Sequence, residues 1–439
     1  MQFNEGQLRV IERIKEQAVT VAPDPIVVVG PGGSGKTTCV MEAVKYVVSN
    51  GGSVLLCAPT NKAVDVLYET AQKAGLGTYD QIGFSTLHAA LGLVLLPTAE
   101  TRRVSKVAPC TMPNYDLIVI DECSMLGKFV VENILQNEIE AWGLKVVFMG
   151  DEKQVFPVRE GESLVFSLYE VQQLRKVERF AAESGIADIT SKLRDSITRE
   201  APFTYAAPDG DGSSGVMSLR DRFFKEEVVE IFSDLSVDPL KDARVMAWRN
   251  ATVASYNKRI RAGRYGKDAP AFVEGEMVLA ARPVGKGMDS YAYTDQALRV
   301  IKVEENQDYE WSSDYPDDIY VVNKVTVEHP MTKQRRILNV VTDSGLFEFE
   351  QELNRRRRIA LDDHTYWPKF YAFLDAFDSL NYPYCTTVHK SQGSTYDCAY
   401  VDVLDIQRNN RRAERLRLLY VACSRPRHKL IVNTPNIRA

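Results

Sequence analysis

The sequence lacks the cysteine pattern of a disulfide-stapled or zinc-binding domain. Its seven cysteines are odd in number, lie far apart and include no C-x-x-C pair. A disulfide framework or a structural zinc site would need paired, closely spaced cysteines, so we expect neither. This usage is typical of a protein from a reducing compartment.

Long hydrophobic runs are absent as well. No uninterrupted apolar stretch approaches the about 18 residues of a membrane span. The amino-terminal segment carries Glu5, Arg9 and Glu12 instead of a long apolar core. These patterns favour a cytoplasmic protein without a membrane partner.

A strong excess of positive charge is also missing. The formal net charge of the 439 residues is −5, so any nucleic-acid surface must be a local basic groove. Arginines cluster in the carboxyl-terminal half, where they either line such a groove or only solvate the surface: Arg335 and Arg336, 355–358, and Arg408, Arg411, Arg412, Arg415 and Arg417. We find no tandem repeat, and the length favours about three domains.

What the sequence does contain is a strand-like run at Ile26–Val29, then a glycine-rich loop, then a helical pattern. The loop matches G-x-x-x-x-G-K-[ST], in which backbone N–H groups surround phosphate oxygens, the lysine reaches the β- and γ-phosphates and the hydroxyl helps to hold Mg²⁺. The flanking strand and helix make a chance match improbable. The predicted nucleotide-binding residues are Gly30, Gly32, Gly33, Ser34, Gly35, Lys36, Thr37 and Thr38.

Acidic residues follow two further apolar runs. Asp121 and Glu122 come after Leu117–Ile120, and Asp151 comes after Val146–Gly150. Carboxyl ends of parallel strands meet at one edge of a sheet, so these acids should lie beside the phosphate loop. We predict that Asp121 holds Mg²⁺ with Thr37 and that Glu122 polarises the attacking water.

Two glutamines have less certain roles. Gln154, three residues past Asp151, either senses a γ-phosphate or belongs to an ordinary turn. Gln7, near the start of the first helix, either reaches an adenine edge or caps that helix. Further along, the α/β pattern begins again near residue 186, gives way to β-type segments from about 285, and returns near 399.

The motifs that carry a resemblance occur in a fixed order along the whole chain. They are Gln7, the phosphate loop, Ala58 to Ala63, Ser85 to His88, Asp121 to Met125, Gly150 to Gln154 with Pro157 and Val158, Val388 to Gly393, and Tyr420 to Arg427. This series resembles the superfamily 1 helicases, and within them the 5′-to-3′ branch of RecD-like and Dda-like enzymes.

The resemblance implies an α/β fold with two RecA-like P-loop NTPase domains in tandem. Domain 1A would span 1–185 and be interrupted by a β-hairpin insertion, the pin domain 1B, at 89–112. Domain 2A would comprise 186–284 and 380–439. A β-rich, SH3-like insertion, domain 2B, would occupy 285–379.

The resemblance also assigns roles at the nucleotide. Lys36, Thr37, Asp121 and Glu122 keep the roles given above, and Gln154 becomes the γ-phosphate sensor. Two arginines would stabilise charge that develops during phosphoryl transfer, one of them an arginine finger from the second RecA-like domain. The residues added by resemblance are Arg179, the finger Arg425, and Gly393 and Gln7 on the nucleotide.

A second set of residues would hold a nucleic-acid strand, with polar groups on phosphates and a tryptophan stacked on a base. These residues are Pro59, Thr60, Asn61, Thr86, His88, Val104, Trp248, Asn250, Thr387, His389 and Lys390. The chain departs from the family at Asn61, where relatives can have histidine, at Arg249, which adds a phosphate contact or nothing, and at Pro426, which would stiffen the finger.

Val104 is included in this set because the segment after His88 is predicted to form a hairpin. Leu93 to Leu96 and Val104 to Val107 are strand-like, with a polar connection between them. In Dda-like enzymes such a hairpin is the pin that splits the duplex, and Val104 aligns with its apolar tip residue; the alternative is that it only packs the hairpin. Trp367, Phe370 and Tyr371 would brace the pin.

The function that follows is an ATP- and Mg²⁺-dependent 5′-to-3′ single-stranded DNA translocase and helicase acting on forked duplex DNA. A single-strand-binding or replisome protein is a further candidate partner, and a phage-encoded enzyme would work in the host cytoplasm. The alternatives are a superfamily 1 RNA helicase and an ATP-gated binding protein that displaces other proteins without unwinding. Only a helicase needs a strand-splitting wedge.

Overall fold

The computed structural model describes residues 3–97, 102–156, 161–174, 185–199, 215–285, 291–311 and 319–435, with the backbone alone at 94–97 and 102–105. The chain forms two compact units. One comprises Met1–Leu93, Lys106–Tyr256 and Tyr384–Ala439, and the other comprises Val94–Ser105 and Asn257–Pro383. In the described part of the chain, no helix is long and apolar enough to cross a membrane.

The strands of the described chain are β1 (Ile26–Val29), β2 (Val54–Ala58), β3 (Ile82–Thr86), β4 (Leu93–Pro97), β5 (Arg102–Lys106), β6 (Leu117–Ile120), β7 (Val146–Gly150), β8 (Glu170–Gln173), β9 (Val216–Arg220), β10 (Ala243–Ala247), β11 (Met277–Ala280), β12 (Ala297–Glu310), β13 (Ile319–Glu328), β14 (Arg335–Val341), β15 (Leu380–Asn381), β16 (Cys385–Thr387), β17 (Tyr396–Val401) and β18 (Pro426–Thr434).

The α-helices of the same residues are α1 (Glu5–Val19), α2 (Lys36–Ser49), α3 (Asn61–Lys73), α4 (Leu87–Ala90), α5 (Lys128–Val130), α6 (Gln136–Trp142), α7 (Val165–Leu168), α8 (Gly185–Thr198), α9 (Asp221–Ser233), α10 (Asn250–Tyr265), α11 (Leu346–Asp362), α12 (Trp367–Asp375), α13 (Val403–Ile406) and α14 (Arg412–Cys423). A π-helical turn, Val131–Leu135, joins α5 to α6.

The first unit contains two fully parallel sheets. The amino-terminal sheet has the order β3-β2-β6-β7-β1-β8, and the second has the order β16-β10-β17-β18-β9. The central strands of the amino-terminal sheet are continuous apolar runs, because parallel strands covered on both faces have no polar side. Each sheet is the core of one RecA-like domain, as expected.

Different helices build the two cores. In the first domain, apolar residues of α1, α2 and α3 pack on β1, β2 and β6. In the second domain, Ile186, Ile189 and Leu193 of α8 join α14 and the strands β17 and β18. Helix α8 therefore packs in the second core, and the boundary at 186 stays a prediction.

The second unit holds the hairpin and a five-stranded antiparallel sheet of order β14-β13-β12-β11-β15. Strands β4 and β5 form a two-stranded sheet at the predicted hairpin. The larger sheet runs from Met277 to Asn381, so it takes in residues that the sequence placed in domain 2A, up to 284 and from 380. Short strands at a junction carry no signal that says which sheet they join.

One predicted surface arginine lies in the core of this unit. Arg356 is buried, with its guanidinium 4.9 Å from the Trp311 ring centre and 4.4 Å from that of Phe373, and it pairs with Glu352 at 2.6 Å. It is neither a solvated charge nor part of a groove. Trp367 and Phe370 are also buried, which leaves Tyr371 as the most accessible of the three predicted bracing residues.

Candidate active site and nucleic-acid interface

The loop between β1 and α2 has the curled geometry of a phosphate loop. A Cβ added at Gly30 would lie 2.6 Å from the carbonyl oxygen of Leu174, so the backbone approaches too closely for any side chain. Gly33 and Gly35 have φ angles of 82° and 85°, in the left-handed region that glycine adopts without strain. Ser34 N–H donates to the Pro31 carbonyl at 3.2 Å and closes the turn.

Lys36 folds back over this loop. Its Nζ donates to the carbonyl oxygens of Gly30 at 2.7 Å and Pro31 at 3.1 Å. Burial lowers the pKa of Lys36, while the carboxylates of Asp151, Glu122 and Asp121 favour its charged form. Gly32 has open space on its Cβ side, and Thr37 and Thr38 lie half-buried in the first turn of α2. The lysine and both threonines thus open the helix that follows the loop.

Gln7 is a helix cap and a contact of the phosphate loop at once. Its Oε1 accepts from Asn4 N–H at 3.1 Å, which completes a capping box with the Asn4 side chain. Its Nε2 donates to the Ser34 carbonyl at 3.4 Å, and the residue is buried. The side chain therefore faces the nucleotide loop and not the solvent.

The acid pair lies at the carboxyl end of β6, as predicted. Asp121 accepts from Glu122 N–H at 2.7 Å, and Glu122 has a φ of 50°, an unusual conformation for a non-glycine residue. Burial and the charge of Glu122 raise the pKa of Asp121 to about 7. A divalent cation near Asp121 would favour the charged carboxylate and offset the cost of burying it.

The donors near the loop suit Mg²⁺. The Thr37 hydroxyl and the Asp121 carboxylate are oxygen ligands, the type that Mg²⁺ prefers, and phosphate oxygens and water supply the rest of such a shell. The described residues contain no cluster of three or more His, Cys, Asp or Glu side chains that would form a cage made by the protein alone. The donor set fits a cation that arrives with its phosphates.

The second RecA-like domain contributes Gly393 and Arg425. A Cβ added at Gly393, which has a φ of 73°, would lie 3.7 Å from Glu122 Oε1, so this turn adjoins the acid pair. Arg425 is buried and donates to the carbonyls of Val421 at 3.0 Å and Ser394 at 3.3 Å, and to Ser424 Oγ at 2.9 Å. Its guanidinium is thus held by its own domain. Arg179 lies outside the described residues.

Three of the predicted strand-binding residues are helix or turn caps at strand ends. The hydroxyls of Thr60, Thr86 and Thr387 each accept from a backbone N–H three residues further on, at 3.3, 3.2 and 3.3 Å. Pro59 and Asn61 flank the first cap, with Asn61 exposed, and Lys390 is exposed beside the third. His88 and His389 are half-buried, and burial lowers the pKa of both.

At the end of β10, backbone N–H groups just before α10 donate to a carboxylate of the same domain. Asp405, buried on α13, accepts from the N–H groups of Trp248 and Arg249, both at 2.9 Å, and from Arg249 Nε at 2.6 Å. Arg249 thus has a structural partner, which neither reading of the sequence included. Trp248 is half-buried against the core of its domain, and Asn250 is exposed.

Sequence reasoning missed other residues that join the two domains, above all Arg194, Gln392 and Tyr420. Gln392 Nε2 donates to Gln154 Oε1 at 3.3 Å, so the predicted γ-phosphate sensor is already in contact with the second domain. Gln392 and Tyr420 lie inside the motifs that carry the resemblance, but Arg194 has no sequence signal. The Val104 side chain lies outside the described part of the chain.

Comparisons with known proteins agree with these motifs. The AAA domain family matches residues 2–209, and the UvrD-like helicase C-terminal domain family matches residues 382–433. The chain is 24% identical to the ATP-dependent DNA helicase dda of Enterobacteria phage T4, over 97% of this chain and 98% of that protein. It is 26% identical to an uncharacterized protein of Acanthamoeba polyphaga mimivirus, over 92% of this chain and 94% of the other.

The fold has a solved counterpart. The structure of the Pif1 helicase from Bacteroides in complex with ADP-AlF3 and single-stranded DNA aligns with a TM-score of 0.53 at 15% identity and covers 99% of this chain and 93% of that one. At this identity the likeness is one of fold alone. The motifs, the tandem sheets and the full-length relatives together support an ATP-hydrolysing superfamily 1 helicase that is similar to the Dda-like enzymes.

Proposed function

We propose that the chain couples Mg²⁺-dependent ATP hydrolysis to movement along single-stranded DNA in the 5′-to-3′ direction, and that it unwinds forked duplexes as it moves. One observation carries this proposal. Gly393 of the second RecA-like domain adjoins Glu122 of the first, which supports a role for this acid where the two domains meet. Hydrolysis at that place changes the fit of one domain on the other.

The chemistry follows from the residues at the mouth of the loop. Lys36 and the loop N–H groups would bind the phosphates, and Glu122 would orient and polarise the attacking water. Mg²⁺ held near Thr37 and Asp121 would offset the negative charge of the phosphate oxygens. Arg425 would leave its contacts with Val421 and Ser394 to stabilise the transition state, as the resemblance also implies for Arg179.

The strand would be held by the capped strand ends of both domains. Helix N-termini present N–H groups and a positive dipole end to phosphates, and Thr60, Thr86 and Thr387 place three such turns at strand ends of both sheets. The exposed part of Trp248 would stack on a base. Support for DNA comes from the T4 relative, which is named a DNA helicase, and from the single-stranded DNA bound to the Bacteroides enzyme.

The proposed 5′-to-3′ direction rests on the resemblance to the Dda-like branch. The proposed strand separation rests on the hairpin. The β4–β5 hairpin lies in the same compact unit as the antiparallel sheet, which supports its role as a braced pin. Shortening its turn, or changing Val104 to Gly, should reduce unwinding of forked DNA and leave strand-stimulated ATPase intact. Loss of both activities together, or of neither, would reject the pin.

The test of the whole proposal uses the purified chain. We expect ATP turnover to rise with single-stranded DNA, to need Mg²⁺ and to disappear in Lys36→Ala. Forks with only a 5′ tail should be unwound, and high salt should weaken strand binding because phosphates dominate the contact. Unwinding confined to 3′-tailed forks would overturn the direction, and stimulation by RNA alone would overturn the substrate. A single-strand-binding or replisome partner stays a prediction of the resemblance.

A further inference from the structure

The loop after β7, residues 151–156, is gripped by the second RecA-like domain through residues that the proposed mechanism does not use. Asp151 is fully buried at the start of this loop. Its Oδ1 accepts from Arg194 Nη1 at 2.6 Å, and its Oδ2 accepts from the Tyr420 hydroxyl at 2.6 Å. Arg194 Nη1 also donates to the Tyr420 oxygen at 3.2 Å. The three side chains form a closed triangle.

The far end of the same loop is held by a fourth residue. Arg417 Nη1 donates to the carbonyl oxygens of Glu152 at 2.5 Å and Gln154 at 2.9 Å. Its guanidinium lies 3.8 Å from the centre of the Phe156 ring. Val155, between these contacts, is buried in the hydrophobic core of the second domain. A loop that leaves the first sheet is therefore part of the packing of the second.

This grip fixes the position of Gln154. Asp151 shapes the turn from within, because its carbonyl accepts from Gln154 N–H at 3.0 Å and its Oδ1 accepts from Lys153 N–H at 3.1 Å. Tyr420 and Arg417 both lie on α14, which ends at Cys423, just before Arg425. One helix therefore holds the loop of the γ-phosphate sensor at one place and carries the arginine finger at its end.

The charges of the triangle are arranged to stay paired. Burial alone would lower the pKa of Arg194, but Asp151 and Tyr420 outweigh it and raise that pKa. Burial and Asp151 raise the pKa of Tyr420. Both shifts keep the proton on the donor, so the Arg194 guanidinium and the Tyr420 hydroxyl can each donate to Asp151. Removing one member would leave a buried polar group without a hydrogen-bond partner. The intact contact therefore has a defined geometry, which apolar packing would not impose.

We propose that Asp151, Arg194, Tyr420 and Arg417 are positioning residues that lock the 151–156 loop to α14, so that Gln154 and Arg425 reach the nucleotide in register. We call this set the loop lock. The inference rests on the proposed function, because it assigns the lock to the ATP cycle of a strand-stimulated enzyme. None of the four needs to touch the nucleotide.

The test compares two single hydroxyl deletions. Tyr420→Phe removes the hydroxyl that joins the domains. Tyr256→Phe is the matched control, because its buried hydroxyl donates to a carboxylate, Asp402, at 2.9 Å within the second domain alone. Steady-state ATP turnover is measured for both variants and the wild type, with and without a thymidine oligonucleotide, over a range of ATP concentrations.

We expect Tyr420→Phe to lower the strand-stimulated kcat by about 5- to 150-fold, the usual range for coupling between sites. The KM for ATP and the thermal midpoint should match those of Tyr256→Phe, because nucleotide binding and folding stay intact. Asp151→Asn combined with Tyr420→Phe should be no slower than the slower single variant, since both changes break one contact. Arg194→Lys should retain more turnover than Arg194→Gln because it keeps the charge beside Asp151.

Two results would overturn the loop lock. One is equal kcat in Tyr420→Phe and Tyr256→Phe. The other is a raised KM for ATP with unchanged kcat in Tyr420→Phe, which would mean that the contact serves nucleotide binding. If the oligonucleotide does not stimulate the wild type, the proposed function fails instead, and the loop lock is then judged on basal kcat by the same comparison.

Discussion

The two RecA-like domains share a sheet order but not a chemistry. Reading β3-β2-β6-β7-β1 against β16-β10-β17-β18-β9 pairs β1 with β9. After β1, a glycine loop leads to a helix that begins at Lys36. After β9, the helix begins at once with Asp221, and no glycine loop separates them. The Asp221 carboxylate accepts from Asn433 Nδ2 at 2.9 Å. An acid in the first turn disfavours a phosphate there, so only one sheet can cradle the nucleotide.

The same alignment pairs β2 with β10 and β3 with β16, and here the domains are alike. Each of these four strands ends at a helix or a helical turn that carries a predicted strand contact. The difference lies in how the turns are satisfied: Thr60, Thr86 and Thr387 cap them with hydroxyls, whereas Asp405 caps the turn after β10 with a carboxylate. The pair of sheets therefore repeats the predicted strand-binding surface while keeping one catalytic centre.

The largest effect should come from changing the predicted catalytic residues, which only the first domain carries beside its phosphate loop. Lys36→Ala and Glu122→Gln should both abolish detectable ATP hydrolysis. Only Glu122→Gln should keep ATP binding, because Lys36, Thr37 and the loop N–H groups remain. Equilibrium binding of a fluorescent ATP analogue beside steady-state turnover separates the two roles. Equal loss of binding in both variants would contradict the division of roles.

The next largest effect should come from Arg425, which the second domain would contribute to ATP hydrolysis. Arg425→Ala should lower strand-stimulated kcat by roughly 10³-fold, the range for an arginine finger, with ATP affinity largely unchanged. The reason is that Arg425 is held by Val421 and Ser394 of its own domain and would serve only the transition state. Arg427→Ala, two residues further along the chain, is the control, because it breaks only an exposed pair with Asp397. Near-normal turnover in Arg425→Ala would contradict the assignment of Arg425 as an arginine finger.

A smaller effect concerns the internally capped turn. Burial alone would raise the pKa of Asp405, but hydrogen bonds from Arg249 N–H, the Thr252 hydroxyl and the Arg249 side chain outweigh it and lower that pKa. Asp405→Asn should cost about 2 kcal/mol of unfolding free energy, as for a bond to a charged group. Because the folded pKa is lowered, the stabilisation is present above about pH 4 and is lost as pH falls through the folded pKa.

Thermal midpoints of Asp405→Asn and the wild type at pH 7 and pH 3 check this expectation. The difference between the two proteins should shrink at the lower pH, because Asp405 then begins to take up a proton in the wild type also. A difference that stays constant with pH would mean that the carboxylate charge is not what stabilises the turn.

The smallest effect compares the caps of the two domains. Thr60→Val and Thr387→Val each remove a cap hydroxyl worth about 1 kcal/mol, and each should weaken binding of single-stranded DNA several-fold without altering ATP affinity. Fluorescence anisotropy with a labelled oligonucleotide measures the loss. Thr70→Val, which removes an exposed hydroxyl bonded within α3, should leave strand affinity unchanged. Loss in one domain only would show that the strand is not gripped by both.

Contiguous motifs and apolar runs predicted much of this molecule. The phosphate loop was legible because glycine, lysine and threonine must follow one another for the backbone to curl around phosphate, and the strands before Asp121 and Asp151 were legible as continuous apolar runs. The short edge strands β8, β9 and β16 went unnoticed, since a few residues at a sheet edge carry little periodicity. For Arg356 the sequence indicates only a groove or a solvated surface, because its aromatic partners lie far away in sequence.

The sequence by itself predicted the phosphate loop and the acid pair at the end of β6, because those residues depend on local backbone geometry and on their place at a strand end. Only the tertiary structure decided how the domains are joined there. Asp151 lies 43 positions from Arg194 and 269 from Tyr420, yet the three side chains meet. No local pattern records that meeting, because a buried carboxylate is stabilised by whichever donors the packing of two domains brings within hydrogen-bond distance.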